Sequence, residues 1–158
     1  MKGFCPLASG STGNAIYLGT NKAKVLFDVG ISFKNLNKRL SEIGVAIEEI
    51  DAVIISHEHI DHIKGVEMIA KKTNIPFFCN SDTAKMICQG IDVRPKLKIF
   101  STGEEFVFGD MEIHPFSIQH DTLDPVAFTI KFKEKKIGIC TDLGFVTKLV
   151  KHRLLDCD

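Results

Sequence analysis

The sequence predicts a mixed α and β domain in which sheet strands are sandwiched between helices. In the first half, short apolar runs of β type alternate with amphipathic helical stretches, and in the second half one strand follows another. The 158 residues are 44% hydrophobic and 25% charged, without a repeat or a tract of biased composition. Residues 1–158 are therefore expected to form one domain with a hydrophobic core.

The first half contains the alternating pattern. Ser32 is predicted to cap a helix whose apolar stripe includes Leu36 and Leu40, and Gly44 can end this helix. The continuous apolar run at residues 52–55 predicts a strand that is buried on both faces. The other elements predicted here are strands at 4–7, 14–18, 23–28 and 75–79, a helix over 63–72, and a helix from the cap Ser81 to Gly90.

The second half consists mainly of predicted strands. In residues 125–133, the large apolar side chains of Val126, Phe128 and Ile130 alternate with smaller or charged ones, which predicts a strand with one buried face. The elements predicted in this half are strands at 97–100, 105–108, 111–118, 125–133 and 136–141, followed by a helix over 146–155.

The charge balance argues against a domain-wide basic surface. Lysine and arginine together number 20, as do aspartate and glutamate, so the formal net charge is zero. A nucleic-acid binder is usually basic over its whole domain. Contact with a nucleic acid would therefore need a local patch, although a solvated face is the simpler interpretation of each basic cluster. The two candidate patches are Lys131, Lys133, Lys135 and Lys136, and Lys148, Lys151 and Arg153.

The cysteines indicate a reducing compartment. There are five of them, an odd number, and no two have the spacing C-x-x-C, which argues against a disulfide framework and a zinc knuckle. The sequence also has no charged leader before an apolar stretch and no apolar run of membrane-spanning length. A cytoplasmic protein without a membrane partner is expected.

Four potential metal ligands follow the buried strand at 52–55. His57, His59, Asp61 and His62 lie within six positions, where α/β folds place their sites. Imidazole nitrogens and carboxylate oxygens suit zinc, manganese or iron. His57 and His59 are two residues apart and can converge on one ion, whereas the adjacent Asp61 and His62 must point differently. The segment therefore predicts two divalent ions, with zinc as the first expectation and manganese or iron as alternatives.

The same segment resembles the H-x-H-x-D-H signature of the metallo-β-lactamase superfamily. This resemblance implies an αββα sandwich, of which the chain would be the N-terminal portion. It implies three further roles. Asp28 would brace the histidine loop, His120 would be the third histidine of the first metal site, and Asp142 would bridge the two metals.

Within the superfamily, the chain resembles the YycJ/WalJ group of DNA exonucleases at residues 7–14, 56–65 and 120–125. The resemblance implies a phosphodiesterase that attacks DNA with a hydroxide generated at the metals, with Asp61 orienting the nucleophile. The resemblance also implies that family members have longer chains, whose additional residues supply a final histidine for the second metal. The first site (His57, His59 and His120, with Asp142) is then complete, whereas the second site (Asp61, His62 and Asp142) lacks one ligand, and a homo-oligomer or a complementing C-terminal half is an expected partner.

Several alternatives stay open at this point. The substrate could instead be a thioester, lactone or lactam, or the chain could be a non-catalytic fragment. The loop at residues 9–14 either offers N–H groups to a phosphate or forms a tight turn. Four side chains are expected to have ordinary roles: His114 at the surface or in packing, Glu58 in solvent or at a helix cap, Cys140 in packing, and His152 as a poor ligand on a terminal helix. The apolar faces of 52–55, 126–132 and 137–139 are expected to lack part of their cover.

Overall fold

A computed structural model describes all residues from 1 to 158, which form two sheets with helices on their outer faces. The first sheet contains β1 (Gly3–Ala8), β2 (Ala15–Gly19), β3 (Lys24–Phe27), β4 (Ala52–Ile54), β5 (Phe77–Cys79) and β6 (Leu97–Ile99), in that spatial order. The second contains β7 (Phe106–Phe108), β8 (Met111–Ser117), β9 (Val126–Phe132) and β10 (Lys135–Ile139), in the order β10-β9-β8-β7. The helices are α1 (Phe33–Glu42), α2 (Ile60–Ile63), α3 (Val66–Lys72), α4 (Ser81–Gly90) and α5 (Lys148–Leu154), with a 3₁₀ turn at Ile47–Glu49.

The strand directions bring two chain segments to the same edge of the first sheet. Strands β1, β2 and β3 are antiparallel, whereas β3, β4, β5 and β6 run parallel to one another. The carboxyl ends of β3 and β4 are therefore neighbours. Asp28 follows β3 and the histidine segment follows β4, so both lie at this edge.

The hydrophobic core consists of three clusters of buried side chains. Val53 of β4 and Ile55, directly after it, pack in one cluster with Leu36 and Leu40 of α1. Ile54 points the opposite way into a second cluster between the two sheets. Phe116, Ile118, Ala127 and Val150 form a third cluster, in which α5 covers the outer face of the second sheet. The order helix, sheet, sheet, helix confirms the expected αββα sandwich.

Two helix boundaries differ from the sequence prediction. The helix expected over 63–72 is split into α2 and α3 at Gly65, whose N–H donates to the carbonyl oxygen of Val29 at 2.7 Å. A Cβ atom at Gly65 would lie 2.9 Å from the carbonyl oxygens of Val29 and Ile31, so this close backbone approach needs glycine. Helix α4 is capped by Asn80 rather than Ser81, because Asn80 Oδ1 accepts the Thr83 N–H at 2.9 Å.

The prediction that β9 has one buried face was wrong. Residues Val126 to Ile130 are all buried, because Ala127 packs against Phe116 and α5 on the outer face. The expected lack of cover was also wrong for residues 52–55, which are completely buried. The expected lack of cover is confirmed at Phe132 and Ile137, which are half-buried beside an open apolar groove of about 590 Å³. None of the helices has both the length and the apolar character needed to cross a membrane.

Candidate metal centre

Three imidazole rings face a common point at the carboxyl end of β4. His57 and His59 come from the loop after β4, and His120 comes from the loop after β8. Their ring centroids are 4.7–4.9 Å apart, and one nitrogen of each ring lies within 4.8 Å of those of the other two. The structure thus brings together His57 and His59, which the sequence pattern grouped, and His120, which the family resemblance assigned to the same metal site.

A second donor group adjoins the first at His57. His62 Nε2 lies 2.5 Å from Asp142 Oδ2, and His57 Nε2 lies 3.6 Å from the same oxygen. Asp61 Oδ2 is 3.6 Å from His62 Nε2 on the other side. Asp142 thus belongs to the second group and lies close to His57, which both groups share. Its φ of +51° is left-handed, which is uncommon for a residue other than glycine.

The chemistry of His57 fits a metal ion. His57 Nε2 is buried and has no hydrogen-bond partner, a costly arrangement unless the nitrogen has another ligand. Burial, followed by the proximity of His62, lowers the pKa of His57 to about 4, so the ring is neutral at pH 7. Its Nδ1 lies 2.9 Å from Ser56 Oγ and is assigned as the protonated nitrogen, which leaves the Nε2 lone pair free.

Asp28 organises the base of the site. Its Oδ1 accepts the Ser56 N–H at 2.8 Å, and its Oδ2 accepts the Ser56 hydroxyl at 2.8 Å. Oδ2 also accepts a hydrogen bond from His62 Nδ1 at 2.8 Å. Burial lowers the pKa of His62, but its hydrogen bond to Asp28 and the nearby carboxylates outweigh burial and raise the pKa above its ordinary value. This arrangement turns His62 Nε2 toward Asp142, as a brace of a metal-ligating histidine does.

Asn14 is a site residue that the sequence analysis missed. Its side-chain nitrogen lies 3.3 Å from Asp61 Oδ2 and 3.1 Å from His62 Nε2, and the residue is buried. Its backbone N–H donates to the Asp61 carbonyl oxygen at 2.7 Å, and its carbonyl oxygen accepts the Gly30 N–H at 2.7 Å. The loop at 9–14 thus holds Asp61 in place. The signal was an asparagine directly after a turn of glycine and serine.

The loop that carries His120 is held from two sides. Glu58 has neither of its two expected roles, solvent exposure or a helix cap, because its Oε1 accepts the N–H of the loop residue Leu123 at 3.2 Å and its Oε2 is buried. On the other side, the Asp124 carboxylate accepts hydrogen bonds from Thr102 Oγ1 at 2.6 Å and from Asn80 Nδ2 at 3.0 Å. The position of His120 is therefore set by contacts with three other parts of the chain.

The remaining candidates lie outside the two donor groups. His114 and His152 line a separate cavity of about 260 Å³ on the outer face of the second sheet. Cys140 packs against the cluster beneath α5, and burial raises the pKa of its thiol. Packing is thus the observed role of Cys140, and His152 belongs to neither donor group.

A helix-flanked sandwich of two sheets, with histidines and carboxylates gathered where its strands end, defines a domain of the metallo-β-lactamase type. The family model for a beta-lactamase superfamily domain matches residues 23–158, and the chain belongs to this family. Relatives in sequence include the exodeoxyribonuclease YycJ of Bacillus anthracis, 34% identical over 94% of this chain and 57% of that protein. Another is the exodeoxyribonuclease WalJ of Streptococcus pneumoniae, 37% identical over 89% of this chain and 54% of that protein.

Solved structures share the fold at low sequence identity. A metallo-β-lactamase of Cronobacter sakazakii superposes with a TM-score of 0.74 at 12% identity, covering 86% of this chain and 60% of that one. The metallo-β-lactamase SMB-1, in complex with mercaptoacetic acid, gives a TM-score of 0.72 at 14% identity over 96% of this chain and 67% of that one. The present chain spans about half the length of the curated relatives it matches.

Proposed function

We propose that the protein is a metal-dependent phosphodiesterase that hydrolyses DNA from an end. The observation that carries the proposal is the pair of donor groups that adjoin at His57, one made of histidines and one containing Asp142. The similarity to two exodeoxyribonucleases along most of the chain supports DNA as the substrate. We also propose a cytoplasmic location, which the five free cysteines support.

In this proposal His57, His59 and His120 hold one divalent ion, and Asp61, His62 and Asp142 hold a second. Zinc is the proposed ion, and manganese and iron are the alternatives, because nitrogen and carboxylate donors suit all three. When bound, such an ion lowers the pKa of a coordinated water to about 7 and supplies a nucleophile for attack on phosphorus.

The protein's own residues orient this chemistry. Asp61, held by Asn14, is proposed to accept the proton of the attacking water and to fix its direction. The chain of hydrogen bonds from Asp28 through Ser56 to His57 keeps the His57 Nε2 lone pair directed into the site. Asp28 also orients His62, because the same Oδ2 accepts a hydrogen bond from His62 Nδ1.

The experiment compares substrates and two histidine variants. Metal content and hydrolysis of bis-p-nitrophenyl phosphate, end-labelled DNA, a chromogenic lactam and a thioester are measured for the wild type, His59→Ala and the control His152→Ala. We expect DNA and the phosphodiester to be cleaved, and His59→Ala to lose tightly bound metal and activity while His152→Ala retains both. Turnover of only the lactam or the thioester, or equal metal content in all three proteins, would contradict the proposal.

A further inference from the structure

Several large apolar side chains are exposed on the loops that form the candidate metal centre. We call this set the apolar rim; its exposed fractions are Ile60 69%, Leu123 64%, Phe145 62% and Val146 54%. Ile60 lies between His59 and Asp61, Leu123 follows His120, and the other two follow Asp142. Each of the four therefore lies within four positions of a candidate ligand in the chain. Exposed apolar patches on a protein surface mark interaction sites or ligand-binding grooves.

Hydrogen bonds hold the rim loops in place. The Leu123 N–H donates to Glu58, which stands between His57 and His59. The N–H of Gly144, the residue before Phe145, donates at 2.8 Å to the carbonyl oxygen of Gln119, next to His120. Ile60 begins α2, directly after His59. The apolar side chains are thus presented by anchored backbone, which reduces the entropy lost when a ligand binds.

The apolar and aromatic side chains of the rim are not needed for binding a phosphate. A phosphate needs positive charge or N–H donors, whereas an exposed phenylalanine offers a flat face to another ring. An unpaired nucleic-acid end presents both a phosphate and the faces of its bases. Because the net charge of the chain is zero, backbone electrostatics contribute little affinity over the domain as a whole. Stacking is the alternative source of affinity and tolerates any base sequence.

We propose that the apolar rim receives the unpaired bases of a single-stranded nucleic-acid end, with Phe145 as the stacking platform. The inference rests on the proposed function, because it takes the scissile phosphodiester to lie at the histidine centre. It adds that single-stranded ends bind better than blunt duplex ends, whose terminal bases stay paired and stacked on their neighbours.

The test measures binding separately from turnover. A short single-stranded DNA with 2-aminopurine at its terminal position is titrated with the wild type, Phe145→Ala, Phe145→Tyr and the control Val107→Ala in the presence of EDTA. Val107 is at least as exposed as Phe145, but it lies on β7, outside the loops that carry the rim. We expect a fluorescence change on binding and a dissociation constant raised about tenfold or more in Phe145→Ala. Phe145→Tyr and Val107→Ala should bind like the wild type.

The outcomes separate the two proposals. Equal binding by Phe145→Ala and the wild type, or equal affinity for single-stranded and blunt duplex ends, would overturn the role of the rim. So would a change of oligomeric state in Phe145→Ala without a change in DNA affinity, because the rim would then be a protein interface. Absence of phosphodiester hydrolysis by the metal-loaded wild type would instead overturn the proposed function, whatever the binding data show.

Discussion

Asp28 and His62, 34 positions apart in the chain, meet at 2.8 Å in the buried base of the site. The contact joins the residue after β3 to helix α2 and orients His62 toward Asp142. Asp28 has a left-handed φ of +58°, a conformation in which asparagine and aspartate are the most tolerated residues other than glycine. Asp28→Asn therefore preserves the backbone while changing the hydrogen bonding.

We expect Asp28→Asn to weaken metal binding by about 10- to 100-fold, the usual effect of removing the partner of a metal-ligating histidine. The free energy of unfolding should fall by about 1–3 kcal/mol, because the Ser56 hydroxyl and His62 Nδ1 both lose Oδ2 as their acceptor. Metal titration and denaturant unfolding measure the two effects. Asp92→Asn, on an exposed residue, is the matched control. Unchanged metal affinity in Asp28→Asn would contradict the role of Asp28 in orienting His62.

The second prediction concerns the relative affinity of the two donor groups. The first group consists of three imidazoles with Asp142 close to His57, whereas the proposed second site has a single imidazole, His62, with the carboxylates of Asp61 and Asp142 and no fourth ligand. Isothermal titration of metal-free protein should show one tight and one weaker site, and His59→Ala should remove the tight one. Two sites of equal affinity would mean that a further residue completes the ligand set of the second site.

The sequence alone predicted the parts of the site and core that are local in the chain. His57, His59, Asp61 and His62 stand in one short segment, so their grouping was visible without a structure. His120 and Asp142 are distant along the chain, and only the family resemblance pointed to them; the structure brings both to the histidine loop. The polar contacts of Asn14 and Glu58 depend on the paths of loops, and the only local signal for either was that Asn14 directly follows a turn of glycine and serine.

The prediction for β9 shows why a local pattern can mislead. The alternation of large and small side chains is real, but Ala127 and Thr129 are small enough for other elements to pack over them. Burial on the outer face comes from α5, about 20 residues further along the chain, and from Phe116 on β8. By contrast, the run at 52–55 was predicted correctly because each of its side chains is apolar, so neither face could be left in water.

The third prediction concerns association of the chain. Phe4, Phe132, Ile137 and Leu154 line the open apolar groove between β1 and β10, which are the edge strands of the two sheets. Exposed apolar surface beside free strand edges favours pairing with another chain. We expect residues 1–158 to self-associate at micromolar concentration and Phe4→Ser to shift the population toward monomer. Light scattering after size exclusion measures this, with Val107→Ser as the control. A monomeric wild type with a sharp, reversible thermal transition would contradict it.

The last prediction tests the packing of the loop at 9–14 against the metal centre. A Cβ atom on Gly30 would lie 1.5 Å from the Asp61 carbonyl oxygen and 2.8 Å from the Asn14 nitrogen, both of them backbone atoms. To avoid these clashes, the backbone segments would have to move apart. This movement would break the hydrogen bonds from the Gly30 N–H to the Asn14 carbonyl oxygen and from the Asn14 N–H to the Asp61 carbonyl oxygen, each 2.7 Å long. We expect Gly30→Ala to lower the free energy of unfolding by about 3–5 kcal/mol, near the upper end for single substitutions.

Gly90 provides the matched control for this substitution. It ends α4, and a Cβ atom placed there would meet no other atom within 4 Å. Gly90→Ala should therefore be neutral or stabilise the protein by a few tenths of a kcal/mol, since alanine has the higher helix propensity and restricts the unfolded chain. Chemical denaturation of both variants gives the comparison. If Gly30→Ala proved as stable as Gly90→Ala, the loop at 9–14 would not pack closely against Asp61, and Asn14 would lose its proposed role in holding that carboxylate.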